Sequence, residues 1–166
     1  MWNKLGHLSE EYVSYLNEYY DNNQSKLEVI DWWNVMGVKL LKLNTLDDPT
    51  FLELEMEMYQ LVDNKNLLPD AQYMLEYQER SFTIFHTDSV SGKGDNSLTT
   101  VTLINQSEDL VGGKALFKED NEAITVLDQD VGEVLSYGHN VEHGVSKVLK
   151  GTRRVYINWY KSRMDN

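Results

Sequence analysis

The sequence contains no cysteine among its 166 residues. This absence excludes disulfides, thiolate zinc sites and cysteine nucleophiles, and it fits a reducing compartment. The opening residues, MWNKLGHLSEEY, lack the apolar core of a secretory signal, and the chain has no uncharged run long enough to span a membrane. We therefore expect a cytoplasmic protein that does not act at a membrane.

Basic side chains are also scarce. The chain has 15 Lys and Arg residues against 27 Asp and Glu residues, which gives a formal net charge of −12. Such a surface repels phosphate backbones, so we do not expect nucleic acid as a partner. The charge either serves solubility alone or also suits a neutral or basic substrate. Hydrophobic residues still make up 41% of the chain, enough for a sizeable core, and we expect one domain over residues 1–166.

The first part of the chain has helical periodicity. Apolar residues recur at helical spacing around residues 12–20, with Ser9 as the candidate cap, and this pattern predicts a first helix. A second helix is predicted over 51–62, where the pair Asp48-Pro49 opens it. The apolar segment between the two helices, residues 29–43, contains two tryptophans and is predicted to be buried core.

After residue 80 the pattern is that of short β-strands. Segments rich in β-branched and aromatic residues alternate with turn signals such as SGKGDNS and KEDNE. The strand segments are SFTIFH, SLTTVTLIN, KALF, AITVL, EVLSY and RRVYINWY. Six or more short strands at close spacing predict a jelly roll, and helices followed by strands make the fold class α+β. We expect helices from about 1–76 to pack on one sheet of a jelly-roll core over about 77–163.

The first of these strand segments ends in His86-x-Asp88. On a strand, two residues two apart lie on the same face, so the imidazole and the carboxylate would be neighbours. The pattern alone is weak, because a chain with four histidines and this much aspartate has roughly a one-in-four chance of containing it. The second half adds His143 at a strand-like position. Two imidazoles and one carboxylate on one side of a metal make the 2-His-1-carboxylate triad of non-haem Fe(II) oxygenases.

Arg153 follows His143 by ten residues, and Trp159 follows Arg153 by six. An arginine at the far end of a pocket would hold a carboxylate by a bidentate pair. Strand alternation puts Arg153 on the face opposite to that of its neighbour Arg154.

Three stretches together resemble the 2-oxoglutarate- and Fe(II)-dependent dioxygenases, and most of all their prolyl 4-hydroxylase branch. EYQERSFTIFHTD has the tyrosine of that branch, here Tyr77, nine residues before His-x-Asp. LTTVTLINQSEDLVGGKALF has the threonine-rich strand that ends in Asn, then Gly-Gly and Phe. GEVLSYGHNVEHGVSKVLKGTRRVYINW has the distal His, the Val-x-x-Gly-x-basic pattern and the Trp six residues further on. The resemblance covers residues 77–160, about half of the chain.

This resemblance implies a fold, an activity and a set of site residues. The fold would be a double-stranded β-helix, another name for this jelly roll, and the activity would be hydroxylation of an unactivated C–H bond with release of succinate and carbon dioxide. His86, Asp88 and His143 would bind iron, and Arg153 would bind the distal carboxylate of 2-oxoglutarate. The pocket around the co-substrate would include the aromatic pair of Tyr77 and Trp159.

The resemblance also implies cofactors and partners. The cofactors are Fe(II), 2-oxoglutarate as co-substrate and dioxygen, with ascorbate as a candidate addition. A proline in a peptide or protein is the favoured substrate, and a small molecule stays open. The oligomeric state is not indicated.

One position departs from the family pattern, and one loop has a role that the resemblance implies. Leu103 stands where relatives often have a tyrosine that touches the co-substrate, so that contact is missing or is supplied by Thr99 or Tyr77. The polar, glycine-containing loop 89–97 follows Asp88 and would be a mobile cover that closes over the substrate.

Two other functions compete with the oxygenase. His139, Glu142 and His143 fit the H-x-x-E-H motif of inverted zinc metallopeptidases, which requires both histidines on one face of a helix. Gly138 and Gly144 bracket the segment, and this disfavours a helix. The third candidate is a non-catalytic jelly roll that binds a ligand or a peptide without turnover.

Overall fold

The computed structural model of the chain describes residues 1–44, 46–88 and 97–163. Its strands, numbered in chain order, form two antiparallel sheets. The large sheet contains, in spatial order, β1 (Trp2–His7), β10 (Glu133–Gly138), β7 (Leu98–Gln106), β12 (Arg153–Ser162), β5 (Leu67–Tyr77), β4 (Val38–Lys42) and β2 (Glu28–Ile30). The small sheet contains β3 (Val35–Met36), β6 (Phe82–His86), β11 (His143–Val145), β8 (Ala115–Lys118) and β9 (Ile124–Leu127). The predicted α+β jelly roll is confirmed.

Both predicted helices are present, as α1 (Glu10–Asn22) and α2 (Pro49–Val62). Asp48 caps α2 as predicted, because its carboxylate accepts a hydrogen bond from the backbone N–H of Thr50 at 2.9 Å. Ser9 occupies the N-cap position of α1, but its hydroxyl does not cap the helix and donates instead to Glu57 of α2. None of the helices that the structure describes is long and apolar enough to cross a membrane.

The two helices cover the outer face of the large sheet. Their buried residues and the sheet residues beneath them form one apolar cluster, whose members include Leu16, Tyr20, Phe51, Leu54, Met58, Met74, Ile104 and Tyr156. Burial of this apolar layer stabilises the large sheet by about 25 cal/mol per Å² of apolar surface removed from water. The opposite face of the sheet is left free to form the cavity described below.

The first part of the chain is less helical than its periodicity predicts. The segment 29–43 contributes β2, β3 and β4, and β5 also precedes residue 77. The prediction that the two tryptophans in this segment are buried in the core is wrong, since Trp32 is 64% exposed and Trp33 is 79% exposed. They lie in a tight turn, closed by a 2.7 Å hydrogen bond from Trp32 N to Val35 O, where the chain passes from the edge of one sheet to the edge of the other.

Candidate metal centre and cavity

Three side chains converge between the sheets. The Nε2 atoms of His86 and His143 lie 3.4 Å and 3.2 Å from Oδ1 of Asp88. One ligand atom from each of the three residues lies within 4.8 Å of the other two. A metal that holds nitrogen and oxygen ligands at about 2.1 Å and at right angles separates them by about 3 Å. The spacing therefore suits three ligands on one face of a metal ion.

Strand pairing brings the three residues together. β6 and β11 are antiparallel neighbours, and His143 is the register partner of His86. Asp88 follows two residues after His86. Gly144 allows the close approach of these strands, because a Cβ at this position would lie 2.7 Å from the carbonyl oxygen of Thr83.

Each imidazole is oriented by a backbone carbonyl. Nδ1 of His86 lies 2.9 Å from the oxygen of Ile84, and Nδ1 of His143 lies 3.0 Å from the oxygen of Val141. Because a carbonyl only accepts, the proton of a neutral ring sits on Nδ1 and the lone pair of Nε2 points at Asp88. These lone pairs and the carboxylate oxygen repel one another unless a cation or a proton lies between them. The donor set therefore fits a divalent metal.

The carboxylate of Asp88 is oriented on its other oxygen. Oδ2 accepts a 2.9 Å hydrogen bond from the Thr99 hydroxyl. Burial alone would raise the pKa of Asp88, but the hydrogen bonds that His143 and His86 donate in their protonated form, together with the bond from Thr99, hold it well below its usual range. Burial lowers the pKa of His86, while its bonds to Asp88 and to the Ile84 carbonyl raise it above the ordinary value. Asp88 is thus charged at neutral pH.

A cavity of about 750 Å³ opens from this cluster along the inner face of the large sheet. Most of its wall is apolar or aromatic, with Leu75, Tyr77, Val101, Val155, Ile157 and Trp159 among its lining residues. Such a wall excludes water from whatever the cavity binds.

Arg153 lies in the wall of the same cavity and is only 3% exposed. Its Nη2 donates a 2.9 Å hydrogen bond to Oε1 of Gln129, a neutral partner. Arg153 forms no ion pair among the described residues. Its neighbour Arg154 does, because the Arg154 guanidinium contacts Glu76 at 2.7 Å on the opposite face of β12. Burial lowers the pKa of Arg153, as expected for a cation without a counter-ion. A buried cation of this kind is a ready site for a carboxylate.

Comparison with solved structures identifies this arrangement of sheets, while no protein-family model and no curated protein sequence matches the chain. A prolyl-4-hydroxylase from Pseudomonas putida matches with a TM-score of 0.75 at 13% identity, over 98% of this chain and 92% of that one. A prolyl hydroxylase from Trichoplax adhaerens, in complex with a peptide fragment of hypoxia inducible factor, matches with a TM-score of 0.73 at 13% identity, over 98% and 84%. HygX from Streptomyces hygroscopicus, with nickel, 2-oxoglutarate and hygromycin B bound, matches with a TM-score of 0.73 at 11% identity, over 98% and 83%. The chain has the fold of the 2-oxoglutarate- and Fe(II)-dependent oxygenases.

Within this oxygenase fold, only some of the other residues that the sequence analysis named as site candidates line the cavity. Tyr77 and Trp159 line it, and their polar atoms are hydrogen-bonded to Thr83 at 2.9 Å and to Tyr73 at 2.9 Å. Thr99 is bonded to Asp88 and is not among the lining residues, and Leu103 is packed in an apolar cluster. Of the loop 89–97, residues 89–96 lie outside the described residues.

Three further residues line the oxygenase cavity or hold one of its side chains in place, and they could not be identified from the sequence. Tyr137 lines the cavity with its ring centroid 4.2 Å from that of His143, and its hydroxyl has no hydrogen-bond partner among the described residues. Tyr73 lines it as well, and Gln129 positions Arg153. The alternation of EVLSY does place Tyr137 on one face with Leu135, but nothing in the sequence says that this face meets His143. Gln129 lies in a connection without any period.

The geometry that a zinc peptidase needs is absent from residues 133–145 of the oxygenase fold. His139 lies in a turn between β10 and β11, where its ring packs on that of Trp159 with centroids 4.8 Å apart. Glu142 pairs with Lys118 at 3.0 Å. The helix that would align His139 with His143 does not form, so the H-x-x-E-H interpretation is wrong.

Proposed function

We propose that the chain is a 2-oxoglutarate- and Fe(II)-dependent dioxygenase that hydroxylates an unactivated C–H bond and releases succinate and carbon dioxide. One observation carries this proposal. His86, Asp88 and His143 converge on a single point at one side of a cavity whose wall also holds Arg153, a buried cation without a carboxylate partner among the described residues. The first group suits a divalent metal, and the second suits the far end of a dicarboxylate.

One group of residues would bind the metal, and a second group would bind the co-substrate. His86, Asp88 and His143 would hold Fe(II), and Thr99 keeps the Asp88 carboxylate oriented. Arg153 would bind the distal carboxylate of 2-oxoglutarate, with its register partner Tyr77 beside it and Trp159 further along β12 in the same cavity wall. When bound, the iron and the keto acid supply the oxidation by dioxygen, while the protein supplies the geometry and a dry, apolar enclosure.

The substrate that we favour is a proline in a peptide or protein. Two of the solved structures named above are prolyl hydroxylases, one of them with a peptide bound, and they support this choice through the fold. A small-molecule substrate is the second candidate, because HygX has the same fold and binds hygromycin B. A requirement for ascorbate, a cytoplasmic location and a single domain over residues 1–166 stay predictions.

The proposal is tested by anaerobic titration of the metal-free protein with Fe(II) and then with 2-oxoglutarate. We expect a weak visible charge-transfer band that requires both ligands. Asp88→Ala should abolish Fe(II) binding, and Arg153→Ala should retain Fe(II) and weaken binding of 2-oxoglutarate. His139→Ala is the matched control for the metal, since His139 packs on Trp159 and does not belong to the ligand group of His86, Asp88 and His143, and this variant should bind Fe(II) normally.

Each alternative predicts a different result. A non-catalytic binding protein would show the band but would release no succinate with any pool of peptides or metabolites. If Asp88→Ala and Arg153→Ala bound Fe(II) and 2-oxoglutarate as the unmodified protein does, the site assignment would be wrong.

A further inference from the structure

We infer that the substrate of this cavity carries a carboxylate and that Lys42 binds it. This inference rests on the proposed function, and it concerns the part of the cavity that the metal and the co-substrate do not use. It also reverses an expectation from composition, because the net charge of −12 suits a neutral or basic substrate.

The balance of charge in the cavity wall differs from that of the whole chain, because cations outnumber carboxylates there. Of the described residues in its wall, Asp88 is the single carboxylate, and it faces His86 and His143. The two permanent cations in the wall are Arg153 and Lys42. Surface charges beyond about 10 Å are largely screened at physiological ionic strength, so a ligand inside the cavity responds to these groups and to the nearby Glu28, and not to the total charge.

Strand alternation aims Lys42 at the cavity. Leu40 and Lys42 of β4 both line it, whereas Leu41 between them is 2% exposed and packs under the helices. Among the described residues Lys42 forms an ion pair with Glu28 on β2, at 4.0 Å, and both side chains are more than half exposed. A long, solvent-exposed pair of this kind is worth about 0–1 kcal/mol, so an incoming anion can replace it.

Lys42 is too far from Arg153 to share the same ligand group. Lys42 is the register partner of Tyr73 on β5, and Tyr73 is the partner of Ile157 on β12. Ile157 lies four residues from Arg153, which corresponds to about 13 Å along the strand, and β4 lies two strand spacings, about 10 Å, to the side. The Arg153 guanidinium is in addition held by Gln129, which is bonded to Val101 of β7 and Glu133 of β10, on the side of β12 away from β4. A carboxylate bound to Arg153 therefore leaves Lys42 available for the substrate.

The surroundings of Lys42 suggest the rest of the substrate. Leu40, Tyr73 and Ile157 line the cavity at the level of Lys42, since Tyr73 is the register partner of Lys42 and Ile157 is the partner of Tyr73. An apolar or ring-containing group next to the carboxylate would pack on these side chains. The substrate class is therefore an organic acid with an apolar body, either free or as part of a peptide.

The test compares acids with their amides. The probes are the N-acetyl derivatives of the apolar amino acids, proline included, and the corresponding N-acetyl amino acid amides. Each probe is titrated into protein loaded with Ni(II) and 2-oxoglutarate, and the melting temperature reports binding. We expect acids to raise the melting temperature more than their amides, and Lys42→Met to weaken acid binding about tenfold or more, the size of one charge-assisted hydrogen bond.

Lys39→Met is the matched control, because Lys39 lies on the same strand and does not line the cavity. It should keep the preference for acids. The inference is overturned if no acid binds better than its amide, if the preference survives in Lys42→Met, or if Lys42→Met loses 2-oxoglutarate instead. Failure of the unmodified protein to load Ni(II) and 2-oxoglutarate would count against the proposed function, which separates the two outcomes.

Discussion

The Thr99 hydroxyl gives the most specific prediction at the scale of single residues. Thr99→Val keeps the shape of the side chain but removes the 2.9 Å hydrogen bond to Asp88. Loss of such an outer contact to a ligand lowers metal affinity by about 10–100-fold, and we expect a decrease of this size for Ni(II) or Fe(II) measured by calorimetry. Thr102→Val on the same strand is the control, since its hydroxyl faces Met58 on the helix side. Equal affinities in both variants would contradict the role of Thr99.

Tyr137 is the residue we expect to compensate for Leu103. Tyr137 lines the cavity, its hydroxyl has no hydrogen-bond partner among the described residues, and the charges of Asp88 and Arg153 both act on it. Tyr137→Phe should weaken 2-oxoglutarate binding about 3- to 10-fold, the size of one hydrogen bond, and leave metal affinity unchanged. Titration of the metal-loaded protein with 2-oxoglutarate measures this. A loss of metal affinity instead would assign Tyr137 to the support of His143.

The pH dependence follows from the histidines. A metal requires neutral imidazole, and hydrogen bonding to Asp88 and Ile84 raises the pKa of His86 in the metal-free protein. As the pH falls through this raised pKa, protons compete with the metal, so affinity for Ni(II) should decrease by about tenfold per pH unit or more. Calorimetric titrations between pH 5.5 and 8 test this. A flat profile would show that His86 is not a ligand.

The sequence predicts the direction of a side chain when that direction follows from the alternation of a β-strand. Alternation could predict that His86 and Asp88 share a face and that Arg153 and Arg154 lie on opposite faces, because it determines direction once a strand is known. The contacts of Thr99, Tyr137 and Gln129 could not be predicted, because each depends on which strand or loop lies opposite. This information resides in tertiary packing and leaves no local pattern.

At the scale of elements, β12 places two adjacent arginines in opposite environments. Arg154 pairs with Glu76 at 2.7 Å and lies over the ring of Tyr20 at 3.9 Å, which ties α1 to the large sheet. Arg154→Ala leaves a largely buried carboxylate unpaired and should lower the free energy of unfolding by about 3–5 kcal/mol.

Arg153→Ala is the matched variant. It removes a buried cation that has only a neutral partner, so it should cost little stability in the ligand-free protein while weakening 2-oxoglutarate binding. Urea unfolding of both variants, together with co-substrate titration, measures the contrast. Greater destabilisation by Arg153→Ala than by Arg154→Ala would contradict this assignment.

The elements also show where periodicity stops being informative. α1 and α2 are long enough to show a helical period, and the 10-residue β12 shows a strand period. The strands β2 and β3 have three residues and two residues, too few for any period to appear. The exposure of Trp32 follows from the position of its turn at the sheet edges, which hydrophobicity alone does not reveal.

At the scale of the whole molecule, the metal joins parts of the chain that are distant in sequence. His86 and His143 belong to strands 57 residues apart, so ligand binding should stabilise the complete fold. At a metal concentration of 100 times Kd the gain is about 2.7 kcal/mol, which for a chain of this size raises the melting temperature by about 5–10 °C. Differential scanning calorimetry with and without Ni(II) checks this, and a chelator should reverse it. The same rise in His143→Ala would place the metal elsewhere.

The position of β12 in the large sheet has a consequence for synthesis on the ribosome. β12 lies between β7 and β5, which do not pair with each other, and it is translated after every other described strand. Until residues 153–162 have left the exit tunnel, the nascent chain can assemble only two separate halves of this sheet, β1-β10-β7 and β5-β4-β2. Each half then exposes an unpaired inner edge, which is a template for wrong pairing. Insertion of β12 is therefore the step that removes both exposed edges, and any delay in this insertion prolongs the state that is open to wrong pairing.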